Sequence, residues 1–266
     1  MTSGSEPSPA LTYSNYLALD QLLGAQQPLS DEHDELLFIV IHQVYELWFK
    51  QLLHELRHLQ GRLEAGDSAH SLHTLRRTLT ILKVVVAQID VLETMTPRQF
   101  TSFRDRLAAA SGFQSVQFRV LEAILGRRDP SVLEHYPEQG QARAAIADAM
   151  NRPALFDSFL RYLVLHKYAI PVGVLRRDVS TPAPPSGEVQ AALLAAYRDD
   201  GAPAQVAERM VDLDEGFQEW RYRHVKMVER TIGDKAGTGG SSGAAYLRST
   251  LFIPAFPDLW AVRRAL

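Results

Sequence analysis

The chain has 266 residues, of which 46% are hydrophobic and 22% are charged, as in an ordinary globular protein. Its net charge of −3 gives no electrostatic reason to expect nucleic acid or an anionic membrane as a partner. Because it contains no cysteine, disulfides, thiolate zinc sites, iron–sulfur clusters and cysteine nucleophiles are excluded. Any metal must therefore be held by histidine, carboxylate or a cofactor.

The N-terminal stretch predicts a disordered tail over residues 1–12, since it is rich in Ser, Pro and Gly. It has neither the basic start nor the apolar core of a signal peptide, and no apolar run approaches the length of a membrane span. We therefore expect a cytoplasmic protein with no membrane partner. Tyr13, Tyr16 and Leu22 then indicate a short helix that ends near Pro28.

A long helix follows, with Ser30 and Asp31 as its predicted N-terminal caps. Steps of about 100° per residue place His42 within the apolar stripe of this helix. A histidine there is either a hydrogen-bonded core residue or a functional imidazole. The stripe also contains Phe38, Ile41, Tyr45, Trp48, Phe49, Leu52, Leu56 and Leu59.

The same helix contains H-E-x-x-H at residues 54–58, a pattern in which two histidines bind zinc and the glutamate activates water. On the helical wheel, however, His54 and His58 lie opposite the apolar stripe and are predicted to face solvent. A zinc protease also needs a third ligand and usually a strand that aligns the peptide, and the sequence predicts no strand. So short a match arises by chance in many helices.

Residues 72–92 form another predicted amphipathic helix, and Pro97 opens the next one. In this next helix, Arg104 shares a face with apolar residues such as Phe100. A guanidinium among aromatic side chains is suited to bidentate binding of a carboxylate, although such side chains more often reach the surface.

The second half of the chain also reads as helical, and we predict one all-α bundle over residues 13–266. The stretch 180–187 is the clearest loop, but the helices on either side of it are too few for two independent cores. Further helices are predicted around 132–136, over 141–150, from 153, over 189–197, from 203 and over 244–250.

Residues 217–242 combine a helix face with a glycine-rich loop. Helical spacing groups His224 with large apolar residues, so its imidazole is predicted to point inward, and the helix should stop at Gly233. The loop that follows, GTGGSSG, suits contact with a ligand because glycines permit close approach and hydroxyl groups form hydrogen bonds. It lacks the G-x-x-x-x-G-K-[ST] spacing of a phosphate-binding loop. The apolar face consists of Phe217, Trp220, Met227 and Thr231.

Three blocks of this sequence resemble the signature blocks of tryptophan 2,3-dioxygenases, in order and with similar separations. They are HDELLFIVIHQVYELWFKQLLHEL (33–56), FRDRLAAASGFQSVQFR (103–119) and WRYRHVKMVERTIGDKAGTGGSSGAAYL (220–247). The resemblance implies a helical bundle that encloses a b-type haem. His224 would be the axial ligand of the haem iron, and Ser111 and Gly112 would contact the cofactor.

The resemblance also implies the substrates, L-tryptophan and O2, and a reaction that inserts both oxygen atoms into the C2–C3 bond of the indole to yield N-formylkynurenine. His42 would be the catalytic residue that accepts the indole N–H, and Phe38 would pack against the indole. Arg104 would pair with the substrate carboxylate, and Thr238 would bind its ammonium or carboxylate end.

In this family, residues that Tyr13 and Tyr16 resemble reach into the pocket of a neighbouring subunit. Members of the family are homotetramers built as dimers of dimers. The resemblance therefore implies a homotetramer in which the first helix of one subunit completes the substrate site of another.

Phe100 departs from the family pattern, because bacterial members often have a tyrosine whose hydroxyl faces the substrate carboxylate. A hydrogen bond to a charged group is worth roughly 1.5–3 kcal/mol. Phe100 therefore leaves open a relative that oxygenates a substituted tryptophan or indole. A haem-binding or haem-sensing protein without turnover is another alternative, although such a protein has no use for an amino-acid clamp formed by Arg104 and Thr238. A zinc hydrolase is a third, which metal analysis would decide.

Overall fold

The computed structural model describes residues 11–108, 110–233, 235 and 244–266. Every regular element within these residues is a helix, which confirms the predicted all-α class. The α-helices are α1 (Tyr13–Leu17), α2 (Leu19–Leu23), α3 (His33–Glu64), α4 (Ser68–Leu92), α5 (Pro97–Arg104), α6 (Val116–Ile124), α7 (Gln141–Met150), α8 (Leu155–Leu165), α9 (Val172–Leu175), α10 (Gly187–Asp199), α11 (Ala202–Ile232), α12 (Ala244–Ser249) and α13 (Pro257–Ala261). Short 3-10 helices cover Asp105–Leu107, Gly112–Gln114, Pro130–His135 and Val262–Ala265.

The long helices α3, α4 and α11 form the centre of the bundle. Helix α4 packs along both α3 and α11, and α3 also packs against α6 and α8. Leu56, Leu59 and Leu63 of α3 are buried together with Leu75 and Ile89 of α4. Removal of this apolar surface from water is the main favourable contribution to folding, so these helices hold the rest of the chain in place.

A glycine in α11 lets this helix approach α4 closely. A Cβ at Gly216 would lie 2.8 Å from Cδ2 of Leu82, which is closer than packed carbon atoms approach each other. Glycine inside a helix normally costs roughly 0.5–1 kcal/mol relative to alanine. At this position a side chain would require Leu82 to move, so glycine favours the packing seen between the two helices.

The start of α3 differs from the predicted capping by Ser30 and Asp31. Glu32 occupies the N-cap position, and its side chain makes no capping hydrogen bond. Instead, Glu35 in the first turn accepts hydrogen bonds from the Ser30 hydroxyl and, at 2.8 Å, from the backbone N–H of Leu29. A carboxylate within the helix therefore holds the preceding loop.

The N-terminal segment forms two short helices rather than the single helix predicted. Ala18 lies between α1 and α2 with a φ of 50°, a left-handed conformation that ends the first helix. Neither helix contains a buried residue, and Tyr13 and Tyr16 are 75% and 73% exposed. The two tyrosine rings therefore contact little of their own chain.

Helix α11 ends at a glycine, and its Asp214 holds the segment that follows α12. As predicted, the helix stops at Gly233, which has a φ of 62°. Asp214, buried in α11, accepts hydrogen bonds from the backbone N–H groups of Ala255 and Phe256 at 3.0 Å and from Nε1 of Trp260 at 2.9 Å. This carboxylate ties the C-terminal segment to the central helix.

By length and composition alone, α3 is apolar enough to cross a bilayer, contrary to the expectation that no such run exists. Leu36, Val40 and Leu47 are exposed along α3 and add to the apolar residues that it buries. The core helix of a soluble protein passes the same test. These exposed apolar residues contribute to the result, although the outer face of α3 also carries the exposed His54 and His58.

Candidate functional site

A cavity lies between α3, α5, α6, α11 and α12, with about 1640 Å³ of space free of atoms, solvent at its mouth included. Side chains from distant parts of the chain meet there, among them His42 from α3, Arg104 from α5 and His224 from α11. Of the residues predicted to form the site, the cavity is lined by Phe38, His42, Phe100, Arg104, Ser111, Gly112 and His224.

His42 can present an acceptor nitrogen to the cavity. Its Nδ1 lies 2.6 Å from the carbonyl oxygen of Phe38, one turn earlier in α3. Because a carbonyl only accepts hydrogen bonds, Nδ1 carries the proton and Nε2 keeps its lone pair. Burial lowers the pKa of His42, so the imidazole is neutral near pH 7.

His224 reaches the same cavity from α11. Its imidazole stacks on the indole of Trp220, with ring centroids 5.0 Å apart and planes within 6° of parallel. Burial, with a further contribution from the nearby His42, lowers the pKa of His224 to about 4. A neutral imidazole is the form of histidine that binds a metal. The residue is half-buried rather than fully buried, as expected for a ring that faces a cavity.

An aromatic cluster lies beside His42. The ring of Phe38 has its centroid 4.2 Å from that of His42, 5.7 Å from that of Phe100 and 5.6 Å from that of Phe103. One turn beyond Phe100, Arg104 ends α5 and lines the same cavity. A flat apolar surface next to a guanidinium is suited to an aromatic molecule that carries a carboxylate.

Sequence reasoning missed a buried cluster of charges in the cavity wall. Glu122 of α6 pairs with Arg119 at 2.7 Å, Arg221 at 2.9 Å and Arg127 at 3.1 Å. Burial alone would raise the pKa of Glu122, but the guanidinium groups together hold it below its ordinary value. Charged residues among the apolar ones of α6, such as Val120, were the signal that could have identified the cluster.

Other predicted site residues do not reach the cavity within the described chain. Tyr13 and Tyr16 lie on the exposed N-terminal helices and are not part of the cavity wall. Thr238 lies outside the described residues. His54 and His58 are exposed on α3, as the helical wheel predicts. The described part of the chain contains no group of three or more His, Asp or Glu residues that could hold a metal ion, which gives no support to the zinc interpretation.

The residues in the cavity fit a haem. His224 offers a neutral imidazole that is held flat by stacking, which is a suitable axial ligand for iron. Apolar side chains such as Leu92 and Met95 line the wall, as a porphyrin ring requires. Arg119 and Arg221 add guanidinium groups to the same wall, and these suit the carboxylate side chains of a porphyrin.

The fold and the cavity define an all-α protein in which two neutral histidines, from different helices, line one large and mostly apolar site. A family model described as tryptophan 2,3-dioxygenase matches residues 2–160 and 183–266. The chain belongs to the tryptophan 2,3-dioxygenase family.

Several relatives resemble the chain over almost its whole length. It is 67% identical to the tryptophan 2,3-dioxygenase of Anaeromyxobacter sp. (strain K), with 100% of both chains covered. It is 56% identical to that of Herpetosiphon aurantiacus, over 97% of this chain and 100% of the relative. The tryptophan 2,3-dioxygenase of Caulobacter vibrioides is 47% identical over 96% of this chain and 98% of its own.

None of these three relatives is named for a substituted tryptophan or indole. The comparisons therefore give no support to the alternative substrate that Phe100 left open. In the structure, Phe100 is buried in the cavity wall, with its ring edge-on to that of Phe103.

Proposed function

We propose that this chain binds a b-type haem in the cavity and inserts both atoms of O2 into the C2–C3 bond of L-tryptophan, giving N-formylkynurenine. The observation that carries the proposal is the meeting of two neutral imidazoles, His42 and His224, in one cavity that Arg104 also lines. Membership of the tryptophan 2,3-dioxygenase family supports the same activity.

His224 is the proposed axial ligand of the haem iron. Ser111 and Gly112 are proposed to contact the cofactor, and their place in the cavity wall supports this role. A Cβ at Gly112 would meet no described atom within 4 Å, so the space beside this residue is free. The haem supplies the activation of O2, while the protein orients the substrate and excludes water.

The proposed substrate position places the indole against Phe38 and the apolar wall that includes Phe100. His42 is the proposed catalytic contact, because its Nδ1 proton is already donated and its Nε2 can accept the indole N–H. Arg104 is proposed to bind the substrate carboxylate in a bidentate manner. Thr238, which lies outside the described residues, is proposed to hydrogen-bond the ammonium or carboxylate end.

We further propose that the protein is a homotetramer in which Tyr13 and Tyr16 enter the cavity of a neighbouring subunit. The exposure of both rings in the single chain supports this, since exposed apolar surface of this extent commonly marks an interface. Other exposed apolar residues on the long helices are Leu36, Val40 and Leu47 of α3 and Val84 and Val91 of α4.

Within one subunit, the buried apolar residues form a cluster that includes every long helix, which supports a single domain over residues 13–266. We place the enzyme in the cytoplasm. We propose that neither nucleic acid nor a membrane is a partner, in line with the net charge of −3.

The test of this function is the mass of the product formed in ¹⁸O-labelled dioxygen. Haem-loaded, reduced protein is incubated with L-tryptophan, and a parallel reaction in ¹⁸O-labelled water with ordinary dioxygen controls for exchange. We expect a product that gains both labelled atoms from dioxygen. A single labelled atom would contradict the dioxygenase, and no product despite an intact haem spectrum would indicate a haem protein that does not turn over tryptophan.

A further inference from the structure

Three aromatic rings, of Phe118, Phe217 and Trp220, pack against one another, and the imidazole of His224 stacks on Trp220. Phe118 of α6 and Phe217 of α11 have ring centroids 5.8 Å apart and planes 19° from parallel. Phe217 and Trp220 follow at 6.2 Å and 22°, and Trp220 and His224 at 5.0 Å and 6°. The contact between Trp220 and the imidazole is therefore the most nearly parallel in this cluster.

Trp220 is itself firmly held. It is buried, and the ring of Phe49 on α3 meets its indole edge-on, with centroids 6.2 Å apart and planes at 85°. Phe118 packs against it from α6 with centroids 4.8 Å apart. Neighbours on two other helices and on its own therefore restrict rotation of the indole plane.

His224 lacks an equivalent restraint of its own. Burial and the proximity of His42 account for its lowered pKa, and no hydrogen bond to the ring contributes within the described residues. In most metal sites a hydrogen bond to the second ring nitrogen orients a histidine ligand. The face of Trp220, stacked on the imidazole, is a surface that restricts its rotation.

We propose that Trp220 is a positioning residue that fixes the plane of the His224 imidazole toward the haem iron. The inference rests on the proposed function, because it requires His224 to be the axial ligand. A ring held by a flat, rigid neighbour keeps one orientation, whereas a ring without it can sample a range of side-chain torsions. If the imidazole has one orientation, every molecule in the sample has the same iron–histidine geometry.

Two substitutions of Trp220 test whether the His224 imidazole needs a flat ring beside it or only an apolar side chain. Trp220→Met removes the flat surface but keeps a flexible apolar side chain that fills irregular space, and Trp220→Phe keeps a flat ring. Trp48→Met is the matched control. Trp48 on α3 also packs its indole against the core, but it does not line the cavity.

The full chain is loaded with haem and reduced, and its iron–histidine stretching band is recorded by resonance Raman spectroscopy. Haem loss to an excess of apomyoglobin is timed on the same samples. We expect Trp220→Met to broaden or split the band and to lose haem about three- to tenfold faster, the size of one aromatic contact. Trp220→Phe should restore a single band, and Trp48→Met should match the unsubstituted protein.

An unchanged single band and unchanged haem loss in Trp220→Met would overturn the proposal. If that variant does not fold, Phe217→Leu replaces it, because it removes a ring that stacks on Trp220. We then expect a smaller broadening of the same band, and its absence would likewise overturn the proposal.

His224→Ala separates this inference from the function on which it rests. Loss of the band in His224→Ala, together with an unchanged Trp220→Met, overturns the positioning role and leaves the axial ligand in place. A band that survives in His224→Ala overturns the axial assignment and the inference with it.

Discussion

The inner and outer faces of α3 carry histidines in opposite surroundings. His42 on the inner face is neutral, bonds the Phe38 carbonyl and lines the cavity. His54 and His58 on the outer face are exposed. The outer pair matches a zinc-binding spacing, whereas His42 shares the cavity with His224, a residue 182 positions later in the sequence. In this fold, chemistry depends on which helix faces meet and less on spacing within one helix.

Carboxylates show the same contrast. Glu122 is buried among Arg119, Arg127 and Arg221. Glu229, near the end of α11, pairs with side chains that are half exposed to solvent, Lys226 at 2.9 Å and Arg248 at 2.6 Å. Water screens the second cluster but not the first, so only the buried pairs are expected to influence folding strongly.

The largest expected effect distinguishes the inner histidines from the outer ones. His224→Ala should abolish haem-dependent activity, because it removes the proposed iron ligand. The measurement is haem absorbance after loading, followed by product formation from L-tryptophan. The double variant His54→Ala/His58→Ala should keep both properties, and a loss of activity there would contradict the contrast between the two faces.

Glu122→Gln tests the buried charge cluster. We expect the free energy of unfolding to fall by about 3–5 kcal/mol, because buried guanidinium groups lose their counter-charge. Denaturant titration measures this change, with Glu229→Gln as the surface control that should leave stability unchanged. Since the pKa of Glu122 is lowered on folding, its contribution is present above the ordinary glutamate pKa of 4.5 and is lost as pH falls through the folded value. The stability of Glu122→Gln should therefore depend less on pH in acid.

Arg104→Lys tests the proposed carboxylate clamp. Lysine keeps the charge but cannot form the bidentate contact, so the KM for L-tryptophan should rise by roughly 10- to 100-fold, equivalent to the 1.5–3 kcal/mol of a hydrogen bond to a charged group. The change in kcat should be smaller. Arg98→Lys, on the exposed side of the same helix, should leave both constants unchanged. Equal effects of the two variants would contradict a specific role for Arg104.

His42→Ala should weaken substrate binding and slow turnover by roughly tenfold without abolishing it, because one hydrogen bond to the indole N–H is lost. Haem content should stay at the level of the unsubstituted protein. Steady-state kinetics and haem absorbance measure both properties, with His54→Ala as the control on the outer face. If His42→Ala lost haem to the same extent as His224→Ala, the proposed division of roles would be wrong.

The smallest expected effect comes from Phe100→Tyr, which adds a hydroxyl to the cavity wall. If this hydroxyl reaches the substrate carboxylate, the KM for L-tryptophan should fall by about threefold to tenfold, less than a lone hydrogen bond to a charged group would give, because the proposed Arg104 contact already neutralises the carboxylate. Kinetics with L-tryptophan measure the change, and Phe252→Tyr at an exposed position is the control. A higher KM in Phe100→Tyr would indicate that the wall at this position must remain apolar.

Much of the helical framework could be predicted from apolar spacing. The predicted segment 141–150 is α7, and the predicted stop at Gly233 is where α11 ends. The predictions were wrong at helix ends where several neighbouring groups could form the capping hydrogen bonds. Glu32, not Ser30 or Asp31, occupies the N-cap of α3, where the Ser30 hydroxyl bonds to Glu35, and Ala18 divides the first helix. Capping patterns state which groups can bond, but they do not decide which of several neighbours does so.

The sequence by itself determined the helical class, the inward direction of His42 and, through three long blocks, the family. Each of these depends on residues close together in the chain or on similarity along its length. Only the tertiary structure decided that Arg221 of α11 pairs with Glu122 of α6, and that His42 of α3 and His224 of α11 line one cavity. Such contacts depend on how helices rotate and approach one another, and helical periodicity says which face is buried but not which side chains meet there.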